Sequence, residues 1–254
     1  MGWLTRGWQV FPAELRVLDW VAAVRDPVLA LARGAERRHG GTWGPGVDLM
    51  PNDGQGAAFG GPNLSGAAYD AAVAATGVAT LHPAQVSVTY PGYPGRDPGE
   101  SDGAHRFRRI RDAAHLDGLL PEGPDRRRHL REPHAYILGI ALTETDPSAA
   151  PLVVYEGSHA VVRACFRRLF AGRDPADWPG IDVTEAYQAT RRQVFRLCPR
   201  REVPLAPGMA VLVHRLAIHG VAPWAEGARA DPRGRAVAYF RPCFASPLDW
   251  LRRP

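Results

Sequence analysis

Between residues 85 and 244 the chain is written as short alternating apolar runs, each stopped by Pro or Gly. QVSVTY (85–90) ends at PGYPG, and HAYILGIALTET (134–145), PLVVYEGSH (151–159) and RAVAYFRPCF (235–244) follow the same rule. REVPLAPGMAVLVHRLAIHG (201–220) holds two strand-like pieces broken at Pro207-Gly208. One helical stretch, VVRACFRRLFAG (161–172), interrupts the series. Strands that do not alternate regularly with helices exclude a parallel βαβ sheet. The expected fold is mainly β with flanking helices, built on a jelly-roll, cupin-like core.

The first eighty residues read differently. Apolar positions at helical spacing run through 12–38, with Leu15, Leu18, Val21, Ala22 and Val24 near one face. Pro27 is expected to end or kink that helix, with a second piece reaching Arg38. Residues 39–65 are dominated by Gly, Pro and Asn, and a loop of that length is a candidate lid. SGAAYDAAVAATG (65–77) reads as a helix with Ser65 as its N-cap and Gly77 at its end. No fixed-period repeat divides the chain. The expectation is one domain over 1–254, with a partly helical 1–80 and a β core over 82–244.

Composition narrows the class. Gly 27 and Pro 24 make about one residue in five of 254, too many helix breakers for a bundle. A hydrophobic share of 45% is too high for a disordered chain. No run of about 18 apolar residues exists, so no membrane span is expected. The start, MGWLTRGWQVFPAEL, lacks the apolar stretch of a secretory leader. Cys165, Cys198 and Cys243 form no CxxC pair, which fits free thiols in a reducing cytoplasm. The net charge is +5, and every basic side chain is Arg. The arginines alternate with acids, as in RFRRIRD and PDRRRHLRE, so no nucleic-acid surface is expected. A mild preference for an anionic small-molecule ligand is compatible with them.

Nine histidines compete for a chemical role, and spacing separates them. His115-Leu116-Asp117 would place an imidazole and a carboxylate on one side of an extended segment. His219, 102 residues beyond Asp117, closes the run after Pro207-Gly208 and is followed by Gly220. Two His and one carboxylate make a facial triad for Fe(II) that leaves metal positions open. His214, five residues earlier, is the rival third ligand. Arg235 opens the last strand 16 residues after His219. A guanidinium there could grip the far carboxylate of a dicarboxylic cosubstrate through two parallel hydrogen bonds. Arg233 and Arg229 compete with it for that role.

The order HxD (115–117), HAYILGIAL, PLVVYEGSH, PGMAVLVHRLAIHG and RAVAYFRP resembles the phytanoyl-CoA dioxygenase family over residues 82–244. The resemblance implies a double-stranded β-helix with Fe(II) on His115, Asp117 and His219 and 2-oxoglutarate as cosubstrate. It places the distal carboxylate of 2-oxoglutarate on Arg235 and makes His159, in Gly157-Ser158-His159, a structural or pocket residue rather than a ligand. Gln85, Ser87 and Tyr136 become candidate cosubstrate contacts. A carboxylate at position 117, where related halogenases carry a small residue, implies hydroxylation of a small organic substrate with O2, releasing succinate and CO2. Two other classes stay open: a cupin-like metal enzyme that does not use 2-oxoglutarate, and a non-catalytic binding module on the same barrel.

Overall fold

A computed structural model describes residues 2–254. In chain order the elements are α1 (Trp3–Arg6), β1 (Trp8–Phe11), α2 (Leu15–Arg33), β2 (Trp43–Gly44), α3 (Ala67–Thr76), β3 (Gln85–Thr89) and α4 (Asp102–Ile110). Next come β4 (Leu119–Glu122), β5 (Arg127–Leu130), β6 (Ile137–Ala141), β7 (Leu152–Tyr155) and α5 (Ser158–Leu169). A 3-10 turn (Pro175–Gly180), α6 (Thr184–Leu197), β8 (Arg200–Val203), β9 (Ala210–Val213), β10 (His219–Val221), β11 (Arg235–Phe240) and α7 (Pro247–Arg252) complete the chain. Helix outweighs strand, 32% to 22%, so the mainly β expectation is corrected to a mixed fold with antiparallel sheets.

A six-stranded sheet runs β1-β9-β6-β11-β3-β2, and a three-stranded sheet runs β10-β7-β8. Period-2 alternation gives each strand two faces with different neighbours. Ile137, Ala141, Val211 and Val213 of the larger sheet pack against Leu152, Val154 and Val203 of the smaller one. The alternate residues Leu138, Ile140, Leu212, Ala236 and Ala238 belong to the larger core that includes Trp20, Val24 and Val28 of α2 and Ala68 and Ala72 of α3. The site lies between the sheets. The helices close the outer side.

Several local expectations are corrected. Helix α2 continues through Pro27 to Arg33, because the apolar face of Val17, Trp20, Val21, Val24 and Val28 stays buried across the proline. Burial of that stripe outweighs one missing hydrogen bond. The N-cap of α3 is Gly66, not Ser65, and the capping acceptor comes from elsewhere. Glu14 Oε1 accepts from Ala67 N–H at 2.8 Å. Glu14 is itself the N-cap residue of α2, so one side chain joins two helix starts. The helix at 161–172 begins earlier, at Ser158. Helices α4, α6 and α7 and the β4–β5 hairpin were not foreseen.

The run 209–220 is not one strand. β9 ends at Val213 in the larger sheet, and β10 opens at His219 in the smaller one. The crossover between them is fixed by Arg215, which is fully buried. Its guanidinium donates to the carbonyls of Trp250, Pro254 and Arg253 at 2.7, 2.9 and 2.6 Å, satisfying the end of α7. The 39–65 stretch is also more anchored than a free loop. Met50, Asn52, Ala58 and Leu64 are buried. Asn52 Oδ1 accepts from Ala84 N–H at 2.8 Å. Gly46 has φ +50°, and a Cβ there would lie 2.2 Å from Val86 O, so only glycine lets this segment seat on β3.

Removing the shared cap tests this packing. Glu14→Ala should lower stability by about 1 kcal/mol, and the melting temperature by about 2–4 °C, in thermal unfolding. Arg16→Ala, whose partner Glu14 keeps its bond to Ala67, should change it less.

Candidate metal centre

His115, Asp117 and His219 offer one ligand atom each, all within 4.8 Å of one another. The grouping follows from backbone pairing. His115 N–H donates to His219 O at 2.8 Å, and His219 N–H donates to His115 O at 3.0 Å. The HxD segment is therefore extended and makes a single bridge to β10, rather than lying in a strand of its own. The tight pairing needs Gly220, where a Cβ would lie 2.1 Å from Asp112 O. Leu116 N–H donates to the Tyr187 hydroxyl at 3.1 Å, which holds the middle of the motif against α6.

The imidazoles are set in one tautomer by the same local device. His115 Nδ1–H donates to Ala113 O and His219 Nδ1–H donates to Ala217 O, each at 3.0 Å. Each ring then turns Nε2 toward Asp117, and Nε2 is the atom a metal would take in place of a proton. His115 Nε2 lies 3.0 Å from Asp117 Oδ1, and His219 Nε2 lies 3.6 Å from Oδ2. Burial opposes ionisation of Asp117, but the His219 and His115 rings outweigh it and hold the carboxyl well below its usual range. Burial likewise opposes charging of His219, and Asp117 outweighs it, so that His219 titrates above its usual value.

Behind the motif sits a buried ion pair. Asp112 is 1% exposed and takes two hydrogen bonds from Arg200, Nε at 2.8 Å and Nη2 at 2.7 Å. The Tyr155 hydroxyl adds a third at 3.2 Å. Asp112 O also accepts from Val221 N–H at 2.9 Å, next to the distal ligand. One residue thus ties β7, β8 and β10 to the start of the HxD segment.

The triad opens into a cavity of about 330 Å³ between the sheets. Ile137, Leu152, Val213 and Val221 form apolar wall, and Gln85, Ser87, Tyr93 and Tyr239 add polar groups. Trp43 and His39, from the former loop region, close its rim with stacked rings 5.0 Å apart. Trp43 Nε1–H donates to Ser87 Oγ at 3.0 Å. Burial pushes the Tyr93 hydroxyl up to about 12, so it stays protonated.

The other candidates fall on both sides of this wall. Gln85 lines the cavity and pairs with Tyr239 across β3–β11. Arg235 is 3% exposed, on the face of β11 that carries Tyr239. Burial pushes the Tyr239 hydroxyl up and the nearby Arg235 guanidinium opposes it, while Arg235 Nη2 is buried without a partner. Arg233 instead pairs with Asp231 and Asp26 at 2.9 and 2.8 Å, and Arg229 is exposed. Tyr136 is a correction. It lies on the outer, helix-facing side of its strand, and its hydroxyl donates to Val78 O at 3.1 Å. His214 is fully buried beside Arg163 and His159, outside the triad. His159 Nε2–H donates to Leu4 O, a structural contact.

Arg241 was missed. It lines the cavity, and its Nη1 lies 3.3 Å from Asp117 Oδ2. The signal was present in RAVAYFRP, where 235, 239 and 241 share the parity that faces inward. Asp112 and Arg200 carried no comparable signal, since their pairing spans 88 residues.

No protein-family model matches the chain, and no curated protein does. Solved structures similar to it include SnoK, a non-heme alpha ketoglutarate dependent carbocyclase from nogalamycin biosynthesis. That likeness has 17% identity and a TM-score of 0.49, over 94% of this chain and 81% of that one. The epimerase SnoN, from the same biosynthesis, gives 15% and 0.48 over 94% and 78%. EctD from S. alaskensis, crystallised with 2-oxoglutarate and 5-hydroxyectoine, gives 15% and 0.40 over 95% and 74%.

Two outcomes follow from the triad and its support. A metal needs His219 neutral, and the raised pKa of His219 means a proton must leave when metal binds. Divalent-metal affinity should therefore rise about tenfold per pH unit below that pKa and flatten above it, with proton release seen in calorimetry across buffers. Arg200→Met leaves Asp112 buried and unpaired. It should cost about 3 kcal/mol, the low end for a buried pair because Arg200 is partly exposed, and weaken metal binding while the triad itself is unchanged.

Proposed function

We propose that this chain is an Fe(II)- and 2-oxoglutarate-dependent oxygenase that oxidises an unactivated C–H bond of a small organic molecule. In this reading its paired sheets are a double-stranded β-helix of the phytanoyl-CoA dioxygenase type. The observation that carries it is the His115–Asp117–His219 cluster, whose two Nε2 atoms are turned toward Asp117 by Nδ1 bonds to the backbone. Two imidazoles and one carboxylate suit Fe(II) and occupy three positions, leaving the others for small ligands. The residues also fit the cosubstrate. Arg235 holds a buried guanidinium nitrogen without a partner, as a site awaiting a carboxylate requires.

When bound, Fe(II) with 2-oxoglutarate and O2 supplies the oxidising power, with release of succinate and CO2. The protein supplies placement. His115, Asp117 and His219 hold the metal, and the backbone bonds of both rings fix their orientation before it arrives. Arg235 would grip the distal carboxylate of 2-oxoglutarate from the strand face it shares with Tyr239. Gln85 and Ser87 add hydrogen-bonding capacity along the wall of β3. Ile137, Leu152, Val213 and Val221 keep the reacting end dry, and Trp43 with His39 forms the rim through which a small molecule enters. The cysteines Cys165, Cys198 and Cys243 are free, which agrees with a cytoplasmic setting.

Anaerobic titration separates the parts. Wild-type protein with Fe(II) should develop a visible charge-transfer band on adding 2-oxoglutarate. Asp117→Ala should lose Fe(II) binding and the band together. Arg235→Gln should keep Fe(II) but need at least about tenfold more 2-oxoglutarate, the loss expected for a charge-assisted pair. Fe(II) binding without any band in wild type would favour a metal enzyme that does not use 2-oxoglutarate. Absence of Fe(II) binding would overturn the proposal.

A further inference from the structure

Resting on that reading, we infer that the substrate is an anion, and that Arg241 binds its carboxylate or equivalent group beside the metal. Arg241 follows β11 on the cavity side, and its side chain is 18% exposed. Among the described residues its side chain makes one hydrogen bond, Nη1 with Asp117 Oδ2, while Nε is buried with no partner. A buried guanidinium N–H without an acceptor is costly unless a ligand completes it.

Its backbone shows that the position is built rather than incidental. Arg241 N–H donates to His82 Nε2 at 2.8 Å, and Arg241 O accepts from His134 Nδ1–H at 2.8 Å. Two imidazoles from separate segments thus clamp the residue that presents the guanidinium. Such fixed placement cuts the ordering cost of binding an anion.

The charges facing the cavity point the same way. Asp112 is neutralised by Arg200, Arg38 by Glu36, and His39 lies against Asp97. What remains on the lining is Asp117 and Arg241, to which Arg235 is added as the proposed cosubstrate residue. With a divalent metal and a doubly charged cosubstrate in place, that set is left with one uncompensated positive charge. A monoanionic substrate neutralises it. Arg235 is committed to the cosubstrate and cannot serve both. A fork of donors next to the metal also fixes which carbon of the substrate is presented, since a bidentate grip sets orientation as well as affinity.

The test compares small carboxylates with their neutral carboxamides: benzoate with benzamide, phenylacetate with phenylacetamide, and butyrate with butyramide. Binding is read by calorimetry, and by perturbation of the charge-transfer band of the anaerobic Fe(II)·2-oxoglutarate protein. In wild type at least one acid should bind tenfold or more tightly than its amide. Arg241→Gln should erase that preference, Arg241→Lys should restore part of it, and both should take up 2-oxoglutarate like wild type. Equal binding of acids and amides, or no acid binding at millimolar concentration, overturns the inference. So does a loss of 2-oxoglutarate affinity in Arg241→Gln as large as in Arg235→Gln, which would place Arg241 on the cosubstrate. If the band never forms, the functional reading fails instead. Calorimetry on protein with Fe(II) alone then still decides between acid and amide.

Discussion

Two backbone hydrogen bonds, exchanged between His115 and His219, join segments that are otherwise held in different parts of the molecule. The HxD segment leads into the β4–β5 hairpin, and His219 belongs to the three-stranded sheet. Their mutual pairing sets the separation of the two rings before any side chain is considered. The carbonyls two residues upstream then set the tautomers. Asp117, two positions beyond His115, reaches both Nε2 atoms because the segment is extended at that point. Ring placement follows from the backbone pairing, tautomer from the two upstream carbonyls, and charge state from Asp117.

The all-arginine charge of this chain has a structural use as well as a compositional cause. A planar fork with five donors suits sites where several acceptors must be met at once. Arg215 reaches three carbonyls near the end of the chain, and Arg200 holds both oxygens of Asp112. An ammonium could not span either set. Arg108, Arg163, Arg235 and Arg241 each keep a buried donor unmet within the protein, and of these four Arg241 lines the cavity.

Many of the strands and the grouping of His115, Asp117 and His219 were legible because they rest on local rules: alternation, Pro-Gly punctuation and short spacing. Tyr136 was misread because parity within a strand does not say which face is the interior. Its neighbour Ile137 lines the cavity, while Tyr136 points to the helices. The break between β9 and β10 was invisible for a related reason. VLVHRLAIHG is buried throughout, His214, Arg215 and His219 included, and burial without alternation looks the same in a strand or a turn. Helices α4 and α6 were hidden by their many arginines, whose aliphatic stems and guanidinium planes cover Phe107, Tyr187 and Phe195 instead of exposing a clean apolar stripe. The Asp112–Arg200 pair depends on tertiary proximity alone.

Arg215 lies four residues before His219, and its donors satisfy the carbonyls at the end of α7. That last helix therefore works as a wedge against the crossover rather than as a trailing ornament. Loosening it would free the fully buried guanidinium from its acceptors and let the crossover relax toward solvent. The distal imidazole would lose its bearing first, since it stands at the next strand start. A change far from the cavity, in a segment that touches no ligand, would be felt as a detuned metal site.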